Sequence, residues 1–204
     1  MRSDVVSMGV DLASMESRET GICILRGVHV RTMTVHGDFE ILNLALMEKP
    51  HVIAIDAPLS LPKGKTLDSK SCVRECDKEL LKIGIRFFPL NFKWMKQLTM
   101  RGIKLRTELT NMGFRVIETY PGGAQQILGI PRVKRRREEL RRKLVEMFNL
   151  SGDILEKRLN PHELDAVTCA IVGKLYLEGE FIAIGDPSEM LMILPKPRGG
   201  SSFN

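Results

Sequence analysis

At 204 residues, with 43% hydrophobic and 27% charged residues, the chain has the make-up of a globular protein long enough to bury one sizeable core. No apolar run approaches the length of a membrane span, so no membrane-spanning helix and no membrane partner are expected. Thirty-one Lys and Arg against 25 Asp and Glu give a formal charge of +6 and a pI near 9.3, which favours an anionic partner, nucleic acid first.

In chain order, Val5 to Asp11 reads as an apolar strand ending in a carboxylate. Thr20 to Leu25 is a second strand, and Gly27 turns the chain into an alternating third over Val28 to Val35, so three antiparallel strands are expected. Asp38 is positioned to cap a helix over Phe39 to Glu48, which leads into the β-branched run Val52 to Asp56. Pro62 to Lys65 reads as a loop and Ser71 to Ile83 as a helix carrying Arg74 and Asp77 on one face, by default a solvated ion pair. Phe87, Phe88, Phe92 and Trp94 could stack nucleobases, but the general tendency of aromatics to be buried predicts core.

A helix over Trp94 to Met112 is followed by a strand over Phe114 to Glu118. Pro131 to Leu150 is the most basic stretch. Arg132, Lys134, Arg135, Arg136, Arg137, Arg141, Arg142 and Lys143 crowd a helix whose apolar residues are Leu140, Leu144, Val145 and Phe148. Such a helix suits a phosphate backbone, and equally reads as a solvated face. Asn160 opens a last helix reaching Leu177, with His162 and Asp165 one turn apart and small residues Ala166 and Ala170 beside them. Met190 to Leu194 is a final apolar strand or docked segment, and residues 196–204 are expected to form a flexible tail. Cys23, Cys72, Cys76 and Cys169 show no paired Cys-x-x-Cys spacing, so reduced structural cysteines are expected. With no signal-peptide pattern at the start, so is a cytoplasmic location.

Asp11, Asp56 and Glu118 repeat one arrangement: apolar strand, terminal carboxylate, loop. Each acid alone reads also as a cap or as a structural partner of an arginine. Together, on adjacent parallel strands, they would repel unless a divalent cation held them, and oxygen donors of this kind suit Mg2+ or Mn2+ better than zinc.

Five stretches carry a family resemblance: Gly9-Val10-Asp11-Leu12-Ala13 with the later Thr20-Gly21, Ile53 to Pro62, Arg74-Glu75-Cys76-Asp77, Ile117 to Gly123, and His162 to Ala170. In this order they resemble the ribonuclease H-like superfamily, and more closely its domain of unknown function 429 branch, described as predicted RNase H-like nucleases. The resemblance implies an α/β fold in one domain over residues 1–195. Its sheet would be mixed and five-stranded, with order 3-2-1-4-5 and strand 2 antiparallel, flanked by helices, with a helical insertion at residues 58–93 after strand 4. It implies a metal-dependent phosphodiesterase, a nuclease that uses two ions about 4 Å apart. Asp11, Asp56 and Asp165 would be ligands, Glu118 a fourth, and His162 would orient water or the leaving group. The substrate would be DNA or RNA, met by Arg74 and Asp77 at the rim and by Arg135, Arg136 and Arg137 on the basic helix, and a homodimer is compatible with this reading. Ribonuclease H proper has a glutamate on its first helix, where this chain offers only Glu40 and Glu48 outside any recognisable motif, so the acid set is similar to that of Holliday-junction resolvases. An alternative is a nucleic-acid-binding or scaffold protein with a vestigial site. An actin-like or sugar-kinase-like phosphate-binding protein would need a glycine-rich phosphate loop and a second copy of the fold.

Overall fold

The computed structural model describes residues 5–69, 72–132 and 136–197. Its first three strands, β1 (Val6–Asp11), β2 (Thr20–Arg26) and β3 (His29–Val35), form an antiparallel meander. Helix α1 (Asp38–Glu48) returns the chain so that β4 (Val52–Asp56) pairs parallel to β1 on its free side. Helices α2 (Glu75–Lys82) and α3 (Lys93–Asn111) follow, and β5 (Val116–Thr119) then pairs parallel to β4. The order β3-β2-β1-β4-β5, with β2 alone reversed, is the one the family resemblance implies.

The sheet is wider than five strands. After helix α4 (Pro121–Ile127) and the basic helix α5 (Arg137–Phe148), a two-residue strand β6 (Ser151–Gly152) joins beside β3. Past α6 (Asp153–Glu156) and α7 (Pro161–Glu178), β7 (Phe181–Ile184) pairs antiparallel with β8 (Met192–Pro195), which lies parallel to β5. The result is an eight-stranded sheet, β6-β3-β2-β1-β4-β5-β8-β7.

The sheet is covered on both faces, which is why β1, β2 and β4 read as continuous apolar runs. Met8, Val10, Ile53 and Ile55 pack with Leu105 and Leu109 of α3 on one side, whereas Val52, Ala54 and Ile117 pack with Cys169 and Val172 of α7 on the other. Helix α7 is the central covering element. Asn160 caps it by accepting from the Glu163 amide at 2.8 Å while the Glu163 carboxylate accepts from the Asn160 amide at 2.9 Å, and Gly179 ends it in the left-handed region.

Two glycines let α7 lie directly on the sheet. A Cβ on Gly9 would collide with the Ala166 carbonyl and the Ala170 amide, and one on Gly21 with the His162 carbonyl. The small residues Ala166 and Ala170 complete this close approach, and it brings the first turn of α7 over the carboxyl end of β1.

Several expected boundaries shift for local reasons. Asp38 does not cap α1: Gly37 is the N-cap, and the Asp38 carboxylate is buried against Arg101 Nε at 2.7 Å. Arg101 also donates to the carbonyls of Ala13 and His36, so it ties α3 to the loop after β1 and to the end of the hairpin. Helix α2 begins only at Glu75, because the Asp77 carboxylate accepts from the Arg74 amide at 2.9 Å and fixes the start there. Helix α4 lies in a stretch whose Gly122-Gly123 pair reads as loop. Pro121 at its first position was the start signal that the glycines masked.

Candidate active site

The parallel register sets Asp11 of β1 directly beside Asp56 of β4. Both carboxylates leave the sheet on the α7 side, since each shares the pleat parity of Gly9, which faces α7, and of Ala54, which packs with it. From the first turn of α7, His162 Nδ1 meets the Asp11 carboxylate at 2.7 Å, and Asp165 on the next turn adds a third acid. Sequence-expected Asp11, Asp56, Asp165 and His162 therefore come together at the floor of one cleft.

The electrostatics of this group are unbalanced. Burial pushes the Asp56 carboxyl well above the usual range, and Asp11, Asp165 and, in smaller part, Glu118 push it further, because a second ionised carboxylate in so small a space is repelled. His162 moves in the direction that favours its cation: the hydrogen bond to Asp11 is the largest cause, partly opposed by burial and reinforced by the charge of Asp165.

Glu118 behaves differently although it also ends a strand. It pairs in register with Ile55, one position before Asp56, so the pleat turns it to the opposite face, while Thr119 is the residue beside Asp56. There its carboxylate is 1% exposed and fully engaged. Arg74 Nη1 donates to it at 2.7 Å, Nη2 pairs with its other oxygen at 2.7 Å, and the Leu59 amide donates to it at 2.7 Å. Arg74, itself 2% exposed, is held from its other side by both oxygens of Asp77, at 3.1 and 3.3 Å. Arg74 and Asp77 are thus not the solvated pair of the default reading; with Glu118 they make a buried clamp that lies along the same cleft.

The basic helix divides. Arg135 lies outside the described residues, as does Lys134. Arg136 reaches the cleft, as does Lys143, whereas Arg137 does not line it. Most cations of α5 are paired along their own helix: Arg136 with Glu139, Arg141 with Glu138, and Arg142 and Lys143 with Glu146. The aromatic stretch departs from the expected core placement. Phe88, Phe92 and Trp94 are 52%, 51% and 41% exposed, and Phe87, Phe88 and Trp94 line the cleft.

One residue that sequence reading missed is Gln125 of α4. Its side-chain amide donates to Asp165 at 2.8 Å and to Thr168 at 3.1 Å, and its buried carbonyl oxygen has no hydrogen-bond partner among the described residues. A glutamine in an unrecognised helix gave no signal by residue type or spacing. The cleft as a whole measures about 1480 Å3 and runs from the acids out to Arg132, Arg136 and Lys143.

Among the described residues no three Asp, Glu, His or Cys side chains are arranged to hold an ion together. The rotamers explain this: Asp11 is turned to His162, Asp165 to Gln125 and Glu118 to Arg74. In chemistry the set suits a hard cation, with three oxygen donors whose mutual repulsion is already visible at Asp56.

This combination defines an α/β protein with an acidic cleft at the carboxyl ends of parallel strands, the usual ligand position in open sheets of this class. The chain belongs to the family described as protein of unknown function (DUF429), whose model matches residues 9–190. No curated protein sequence matches it. Among solved structures it is similar to the yeast mitochondrial Holliday junction resolvase Ydc2, with a TM-score of 0.46 and 12% identity over 82% of this chain and 76% of that one.

Proposed function

We propose that the protein is a divalent-metal-dependent nuclease that hydrolyses phosphodiester bonds in the cleft above β1 and β4. The observation that carries this reading is the register pairing of Asp11 with Asp56 beneath Asp165, a cluster of acids that raises the Asp56 carboxyl and is met by His162 at Asp11. Asp11, Asp56 and Asp165 would hold Mg2+ or Mn2+, which would supply an activated water and charge stabilisation at the leaving oxygen. Glu118 is not in this ligand set, because Arg74 occupies it. His162, anchored by Asp11 and half-exposed, would give a proton to a departing oxygen. Arg132, Arg136 and Lys143 would receive phosphates along the cleft wall.

A second reading, a nucleic-acid-binding protein without catalysis, is favoured by the engagement of Asp11 by His162 and of Asp165 by Gln125. A cleavage screen separates the two. The purified chain is incubated with single-stranded, duplex and branched DNA and RNA in Mg2+ or Mn2+. Metal-dependent cutting that Asp56→Asn abolishes is expected, and binding without cutting under every condition would leave the second reading.

A further inference from the structure

The aromatic residues at the mouth of the cleft are arranged for a task that the acids leave open. Phe88 and Trp94 meet edge to face with ring centroids 5.1 Å apart, yet both keep about half their surface in solvent. Aromatic rings of this size normally bury most of their area, so an exposed pair in a cleft that also carries the acids and the cations Arg132, Arg136 and Lys143 points to a ligand with flat apolar faces as well as charge.

The segment that carries Phe88 is fixed to the wall of the site. Gln126 donates to the Gly84 carbonyl at 3.2 Å and the Tyr120 hydroxyl donates to the Arg86 carbonyl at 3.0 Å. Both anchors are held in turn by Arg132, whose guanidinium lies 2.9 Å from Gln126 Oε1, 3.4 Å from the Tyr120 hydroxyl and 5.9 Å from the Tyr120 ring centre. A cation that can meet phosphate and an aromatic pair that can meet a base are therefore linked in one hydrogen-bonded frame, and Tyr120 follows Thr119, the register partner of Asp56.

We propose that the cleft takes a nucleic-acid strand with unpaired bases, one of which stacks on the Phe88 and Trp94 pair while its phosphates lie along Arg132, Arg136 and Lys143. The inference rests on the reading above that the cleft takes nucleic acid, and adds which form of it. Within a duplex the base faces are already stacked on one another and hidden, so an aromatic platform selects single strands, gaps or splayed ends.

The chain's single tryptophan makes the test direct, because Trp94 is the only source of indole fluorescence. Binding of an oligothymidine strand, an abasic phosphodiester strand and a blunt duplex is measured by anisotropy with calcium present, and Trp94 emission is followed alongside. Saturation with oligothymidine should quench Trp94 and the abasic strand should not. Trp94→Ala should weaken oligothymidine binding about 5- to 150-fold, which corresponds to about 1–3 kcal/mol for one stacked base. Since Trp94 is partly exposed, Phe88→Ala serves as the independent second variant, with a loss in the same direction. Equal affinity for all three ligands with silent Trp94 emission overturns the stacking proposal and leaves the nuclease reading standing. If no strand binds at all, both fall.

Discussion

Two groups of carboxylates sit at the same end of the sheet, and they differ in how their charge is answered. Asp77 and Glu118 close on the buried guanidinium of Arg74, which spends its hydrogen-bonding nitrogens on them. Asp11 meets a half-exposed histidine and Asp165 a neutral glutamine, and Asp56 is a carboxyl pushed up by burial and by its acidic neighbours. In the first group each carboxylate is answered by Arg74 within the fold. The second leaves negative charge that a bound cation would answer. Strand-terminal position alone does not distinguish them; pleat parity and the partner do.

The largest effect is expected from breaking the completed group. Arg74→Met would leave two buried carboxylates without their cation and should cost about 3–5 kcal/mol in chemical denaturation. A loss within the range of an exposed pair, about 0–1 kcal/mol, would show that the clamp is not buried as described.

Next is the contact that holds α7 over the second group. Gly9→Ala places a methyl against the Ala166 backbone, where neither element can yield cheaply, and should destabilise by about 1–3 kcal/mol and move His162 and Asp165 off Asp11. The His162 titration, followed by NMR, should then fall back toward that of a free histidine.

Asp56→Asn should act in the opposite sense on stability. A carboxyl whose pKa is raised by folding contributes stability below the ordinary carboxylate range, and that contribution is lost as pH rises through the folded value. In chelator the unmodified protein should therefore lose stability as pH climbs from about 4 toward neutrality. The Asn variant should show a flatter profile and equal or greater stability at pH 7. A variant less stable at neutral pH would mean that Asp56 is satisfied as Glu118 is.

The smallest effect concerns the cleft wall. Reversing Arg136 and Lys143 to Glu should lower the slope of log affinity against log salt by about 0.9 per lost contact on duplex DNA. An unchanged slope would assign both to the ion pairs along α5 alone.

Much of this was legible in the sequence because periodicity and strand-end acids are local signals. The five central strands, the start of α7 at Asn160, and Asp11, Asp56, Asp165 and His162 were visible as patterns, whereas the strand order came from the family resemblance. The different fate of Glu118 depends on whether β5 ends at Glu118 or at Thr119, and a boundary error of one residue turns a side chain to the other face. Arg74 looked like half of a surface pair because its second partner lies 44 positions away. The exposure of Phe88 and Trp94 could not follow from an average tendency of aromatics, since the cleft that keeps them in solvent is formed by distant elements. Strand β6 is two residues long, too short for a periodic signal, and β7 was not foreseen.

The central claim is that Asp11, Asp56 and Asp165 together bind a divalent ion, and thermal melting with and without Mg2+ or Mn2+ tests it most directly. The account predicts that the ion raises the melting temperature of the unmodified protein, by linkage equivalent to about 2.7 kcal/mol at a hundredfold excess over the dissociation constant, and raises that of Asp56→Asn far less. Equal shifts in the two proteins, or none in either, would contradict it.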